Sequence, residues 1–217
     1  MLDLPEEKAL DKNRLIGGCS RLAMRFDAGR AAAELHDLPA TLWQGSGARR
    51  GVHRVAAAIF LRGSAPALGA LPIEDQPVFL QLPYLRDLLM GLPGRLQRCL
   101  LARLPAGAVV RRHIDQAPYF EKTLRIHLPL VTTDAVHMFS RGLCYHMKAG
   151  EVWALNNSAV HAVWNASGTE ERVHLIADFV PGPRMLELLA AADSRLGVVH
   201  GEVCERLRLA EAEVQGA

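Results

Sequence analysis

Between Ala108 and Phe179 the chain breaks into short apolar segments, each too brief for a typical helix, and this texture limits the fold more than any other feature. Ala108–His113, Thr123–Val131, Val136–Phe139, Leu143–Met147, Val152–Leu155, Ala159–Trp164 and Arg172–Phe179 all read as strands separated by loops. Short strands at such intervals predict an antiparallel sandwich or small barrel. Pro105-Ala106-Gly107 opens the region as a turn, and Pro181-Gly182-Pro183 closes it.

Upstream the pattern is mixed. Residues 1–13 alternate acidic and basic side chains and are expected to form a loose arm or short helix. Arg21–Phe26 reads as a strand, and Asp27 is a good N-cap for a helix over Ala28–Leu38 that Pro39 closes. Trp43–Arg50 is expected to be a loop, Val52–Leu61 a strand, and the Gly-, Pro- and Ala-rich Gly63–Asp75 irregular. Leu85, Leu88, Leu89 and Leu92 share one face of a helix over Pro83–Leu92. Arg95–Leu104 is an apolar segment that runs into the turn at Pro105. Arg184–Ala192 and Glu202–Val214 read as helices able to cover an outer face.

With 217 residues there is material for one sizeable core, and two full domains would be cramped. A formal net charge of +2 leaves no nucleic-acid footprint in bulk charge. Apolar runs such as Val55–Leu61 are far too short to span a bilayer, and MLDLPEEKALDKNR lacks the apolar stretch of a signal peptide. Cys19, Cys99, Cys144 and Cys204 are widely separated, with no CxxC pair, as reduced thiols in a cytoplasmic protein would be. The expectation is a cytoplasmic protein with neither membrane nor nucleic acid as partner; its oligomeric state is left open.

Alternation along strands sorts the polar side chains. Arg125 and His127 share a face opposite Leu124, Ile126 and Leu128. Arg172, His174, Ile176 and Asp178 share a face opposite Val173, Leu175, Ala177 and Phe179. Burying such groups without partners would cost roughly 2–7 kcal/mol each, so a polar interior holding a metal and an anion is the physical way out. His113-Ile114-Asp115 supplies one histidine and one carboxylate two positions apart. His161 follows 48 positions later and Arg172 another 11 beyond. Two histidines and a carboxylate can bind one face of Fe(II) and leave the other open to a cosubstrate and O2. An arginine beyond the distal histidine suits a dicarboxylate such as 2-oxoglutarate. The plainer alternative is a surface turn at HID and an unrelated core histidine.

The segment Leu101–Pro183 closely resembles the aspartyl/asparaginyl β-hydroxylase family of 2-oxoglutarate dioxygenases. The resemblance is carried in order by LPAGAVV…HID (104–115), LRIHLPL (124–130), HMKAGEVW (146–153), NNSAVHAVWN (156–165) and RVHLIADF (172–179). It implies a mainly β fold with flanking helices around a double-stranded β-helix, a jelly-roll core of cupin type. On that basis the chain is one domain: 1–95 an N-terminal α/β support region, 96–183 the β-helix core, 184–217 the C-terminal helices. The implied metal ligands are His113, Asp115 and His161. Arg172 would bind the distal carboxylate of 2-oxoglutarate, with His127 near its other end and Arg125 facing cosubstrate or substrate. Vertebrate members lack the triad carboxylate, so Asp115 points to the bacterial stand-alone type. The implied reaction is hydroxylation of an amino acid side chain, above all at the β-carbon of Asp or Asn. The substrate could be free, peptidyl or carrier-bound. Another residue such as Pro, or a non-catalytic cupin-like binding module, is the alternative.

Arg49, Arg50 and His174 are further candidates to meet substrate. For Arg49 and Arg50 a solvated charged face is the plainer reading, and for His174 a satisfied core histidine. Asn156 and Asn157 read as turn-formers before the His161 strand. Tyr119–Lys122 read as a loop that could line a substrate mouth.

Overall fold

The computed structural model describes residues 9–45, 52–65 and 73–215. The strands in chain order are β1 (Cys19–Arg25), β2 (Gln44–Gly45), β3 (Ala57–Arg62), β4 (Gly94–Leu104), β5 (Val109–His113), β6 (Leu124–Val131) and β7 (Val136–Ser140). β8 (Leu143–Tyr145), β9 (Glu151–Leu155), β10 (His161–Asn165) and β11 (Arg172–Pro181) follow. Among the described residues they form a seven-stranded sheet, β1-β9-β6-β11-β4-β3-β2, and a four-stranded sheet, β5-β10-β7-β8. All pairings are antiparallel. The mainly β architecture expected from the strand texture, and the jelly-roll core that the resemblance implies, are observed.

The helices are α1 (Lys12–Leu15), α2 (Ala28–His36), α3 (Pro83–Gly91), α4 (Pro118–Lys122), α5 (Pro183–Ala190) and α6 (Gly201–Gln215). Asp27 caps α2 as expected, its side chain accepting from the Arg30 amide at 3.0 Å. Apolar side chains of α2, α3 and α5, among them Ala31, Leu85, Leu89 and Met185, cluster with Ile126, Leu128, Leu175 and Ala177 from the outer face of the large sheet. Val203 and Leu207 of α6 pack against Phe139 and Ala162 of the small sheet. Between the sheets lie Leu104, Val110, Met138, Trp153, Leu155 and Val163. Alternation therefore sends Ile126, Leu128, Leu175 and Ala177 outward under the helices. The polar members of β6 and β11 face the space between the sheets.

Two segments differ from expectation. Arg95–Leu104 lies within the longest strand, β4, paired with β3 on one side and β11 on the other. Apolar side chains cover both of its faces, so the alternation that marks a half-exposed strand is missing. Residues 118–122 form one helical turn that buries Tyr119 and Phe120, so these two side chains do not line a mouth. No helix among the described residues is long and apolar enough to cross a membrane. The four cysteines are free thiols.

Candidate active site

Two facing strands of the small sheet bring the histidines together. His161 pairs directly with His113 across β10 and β5, and their ring centroids lie 4.1 Å apart. The next pair along is Val163 with Val110, so three steps on β5 oppose two on β10. This bulge reverses the alternation of β5. Val110 and His113 both turn to the interior, while Arg112 turns out to a forked pair with Glu211 of α6 at 2.6 Å. The Nδ1 atoms are each held by a carbonyl two residues back, Arg111 O at 2.8 Å for His113 and Ala159 O at 3.0 Å for His161. A carbonyl only accepts, so Nδ1 carries the proton and Nε2 keeps the lone pair a metal needs. Burial, then the neighbouring His113, lowers the His161 pKa to about 3, which keeps the ring neutral.

Asp115 lies just beyond β5, with one oxygen satisfied and the other turned to the histidines. Its Oδ2 accepts from Arg125 Nη1 at 2.5 Å and from Asn157 Nδ2 at 3.1 Å. Its Oδ1 lies 3.9 Å from His113 Nε2. Burial pushes this carboxyl up. The charge of Arg125 and, after it, the neighbouring His161, the Asn157 hydrogen bond and His113 outweigh it and hold the group well below the usual carboxylate range. Arg125 in turn sits opposite Asp178 across β6 and β11 and forks onto it, Nε–Oδ1 2.9 Å and Nη2–Oδ2 3.0 Å. Three of its five N–H bonds are thus committed to two carboxylates.

Arg172 stands in contrast. It is 4% exposed, its Nη2 donates to His174 Nδ1 at 2.7 Å, and its Nε has no partner among the described residues. Among the described residues no carboxylate forms an ion pair with it, and burial pulls its pKa below the guanidinium norm. His174 Nδ1 must accept from arginine, so His127 Nδ1, 3.3 Å away, is the donor in that contact. His127 Nε2 is then a buried lone pair without a partner. Burial, followed by the charge of Arg172, holds both histidines well below their usual pKa.

His113, His161, His127, Arg125 and Arg172 line one cavity between the sheets, about 530 Å³ including its mouth. His174 lies behind Arg172 and His127 and is not part of the lining. Arg49 and Arg50 lie outside the described residues. One lining residue went unnoticed in the sequence: His53, whose ring meets His113 edge-on at 4.8 Å. Ligand atoms of His53, His113 and Asp115 all lie within 4.8 Å of one another. His53 sits in turn-rich chain before β3, where no spacing links it to the HID segment. Asn157 lies in a turn, as its residue type suggests, and its buried amide also touches Asp115.

Residues 75–181 match the family model described as aspartyl/asparaginyl beta-hydroxylase. Solved structures share the fold. A 2OG-Fe(II) oxygenase family oxidoreductase from Burkholderia pseudomallei is 15% identical, over 78% of this chain and 86% of that one, with a TM-score of 0.52. A Pseudomonas putida prolyl-4-hydroxylase is 21% identical over 79% and 96%, TM-score 0.50. The epimerase SnoN, in complex with Fe3+, alpha ketoglutarate and nogalamycin RO, is 14% identical over 78% and 81%, TM-score 0.54. Residues 75–181, which carry every member of this constellation except His53, thus match the aspartyl/asparaginyl β-hydroxylase family, and the fold around them is that of Fe(II)/2-oxoglutarate oxygenases.

Proposed function

We propose that this protein hydroxylates an amino acid side chain, with Asp or Asn β-hydroxylation as the leading reaction and a free, peptidyl or carrier-bound residue as substrate. The observation that carries the reading is Arg172, a buried guanidinium with no carboxylate partner among the described residues, on the wall of the cavity that also holds His113 and His161. A dicarboxylate bound there would supply the missing counter-charge.

His113, Asp115 and His161 would hold Fe(II) through Nε2, Oδ1 and Nε2. Iron, 2-oxoglutarate and O2 together supply the oxidising power to place a hydroxyl on an unactivated carbon. The remaining work falls to the protein. Arg172 fixes the distal carboxylate of the cosubstrate by a planar fork. His174 holds Arg172 and His127 in register, and His127 would lie near the cosubstrate's other end. Arg125 holds Asp115 in place. Leu104, Val110, Met138 and Leu155 give the cavity apolar walls that exclude water.

The test is turnover. Purified protein with Fe(II), ascorbate and 2-oxoglutarate is offered Asp, Asn and Pro, each free and within short peptides. Succinate formation matched by a product one oxygen atom heavier is expected with an Asp or Asn form. Product with Pro alone would move the protein to prolyl chemistry; uncoupled or absent turnover across the set would remove these amino acids as substrates. A second reading rests on His53. With it, the centre offers three histidines and one carboxylate, the donor set of cupin enzymes that use no 2-oxoglutarate. Iron bound without any effect of 2-oxoglutarate would favour it.

A further inference from the structure

Lys12 is only 3% exposed, and it belongs to the four-residue α1, well before the 75–181 match. A buried ammonium is costly unless its donors are used. Its Nζ donates to Asn157 Oδ1 at 2.6 Å, and Asn157 Nδ2 donates to Asp115 Oδ2 at 3.1 Å. The Asn157 carbonyl also accepts from the Asp115 amide at 3.0 Å. An ammonium can only donate, so it fixes which end of the Asn157 amide points which way. The oxygen must face Lys12, and the NH2 must therefore face the carboxylate. With Arg125 this saturates Oδ2 and leaves Oδ1 toward His113.

The helix is itself pinned to the same loop. Asn13 Oδ1 accepts from Asn156 Nδ2 at 3.0 Å, Gly17 O accepts from that amide at 2.8 Å, and Gly18 O accepts from the Asn156 backbone at 2.9 Å. The N-terminal segment thus reaches the metal carboxylate through one intermediary. We infer that Lys12 is a positioning residue for the metal centre: through Asn157 it fixes the rotamer of Asp115 and so sets metal affinity. The inference rests on the metal assignment proposed above.

The test is anaerobic titration of the full-length apo-protein with Co(II), read by its visible d–d bands. Lys12→Met is expected to weaken Co(II) binding 10–100-fold, the usual effect of losing a group that orients a ligand. Asn157→Ala is expected to do the same, and the double variant no more than Asn157→Ala alone. Asn13→Ala loosens α1 without touching the relay and is expected to leave Co(II) affinity within about threefold. If Lys12→Met does not fold, Lys12→Gln, uncharged but polar, serves in its place with the same expectation. Unchanged affinity in the Lys12 variant, or additive losses in the double variant, would overturn the inference. So would an equal loss in Asn13→Ala, which would reduce α1 to a structural prop. Failure of the underlying assignment looks different: wild type binds no Co(II), or His161→Ala binds as well as wild type.

Discussion

Arg125, half-buried, and Arg172, buried, stand on neighbouring strands of one sheet and both face one cavity, yet their surroundings are opposite. Arg125 is locked between Asp178 and Asp115. Among the described residues Arg172 meets only a histidine nitrogen. A folded chain rarely keeps a buried charge uncompensated, because desolvation costs far more than a single neutral hydrogen bond returns. On the proposed function, the matched arginine belongs to the scaffold and orients the carboxylate that would face the metal, while the unmatched one would receive the anion. Stability would then be given up at one end of the cavity to create affinity there.

The comparison can be broken most sharply by removing each charge in turn. Arg125→Met leaves Asp178 and Asp115 buried without their cation and is expected to destabilise the protein by about 3–5 kcal/mol, read by urea unfolding. Arg172→Met removes an unmatched charge and is expected to stabilise the apo-protein by about 1–4 kcal/mol, while raising the 2-oxoglutarate requirement at least a hundredfold. If both variants shift stability in the same direction, the contrast is false.

His53 and His161 offer the next comparison, two histidines beside one ring. His161 is held on a strand and fixed at Nδ1, whereas His53 rises from turn-rich chain. Rigid elements place ligands better than loops. His161→Ala is expected to abolish Fe(II) binding, and His53→Ala to weaken it less than tenfold; the reverse order would make His53 the ligand.

The buried histidines set the pH dependence of the apo-protein. Burial holds the folded pKa of His127, His161 and His174 below the unfolded value of about 6.5. Below that pH the unfolded chain takes up protons that the folded chain refuses. Apo stability is then full above about pH 6.5 and falls by about 1.4 kcal/mol per pH unit for each such histidine. A flat unfolding free energy between pH 7 and pH 5 would contradict this burial pattern.

Much of the structure was readable in the sequence, and the misses share a cause. Strand texture and alternation are local signals, so an antiparallel sandwich or barrel and the polar inner faces of β6 and β11 could be read directly, while the jelly-roll followed from the resemblance of Leu101–Pro183 to a known family. β4 escaped because both its faces are covered and its alternation vanishes. The partners of Asp115 are long-range: Lys12 meets Asn157 across 145 positions, and no spacing rule links a lysine in a charged N-terminal arm to a turn asparagine. His53 escaped for the same reason. The bulge in β5 that turns His113 inward depends on the register with β10, which the strand's own residues do not encode.

The central claim is that one cavity takes Fe(II) on His113, Asp115 and His161 and 2-oxoglutarate on Arg172. Its most direct test is anaerobic addition of Fe(II) and 2-oxoglutarate to the apo-protein, watching for the weak visible charge-transfer band of the chelated pair. The account predicts a band in the wild type, none in His161→Ala, and in Arg172→Met a band only at far higher 2-oxoglutarate. Iron bound with no band, or a band whose 2-oxoglutarate dependence ignores Arg172, would contradict it.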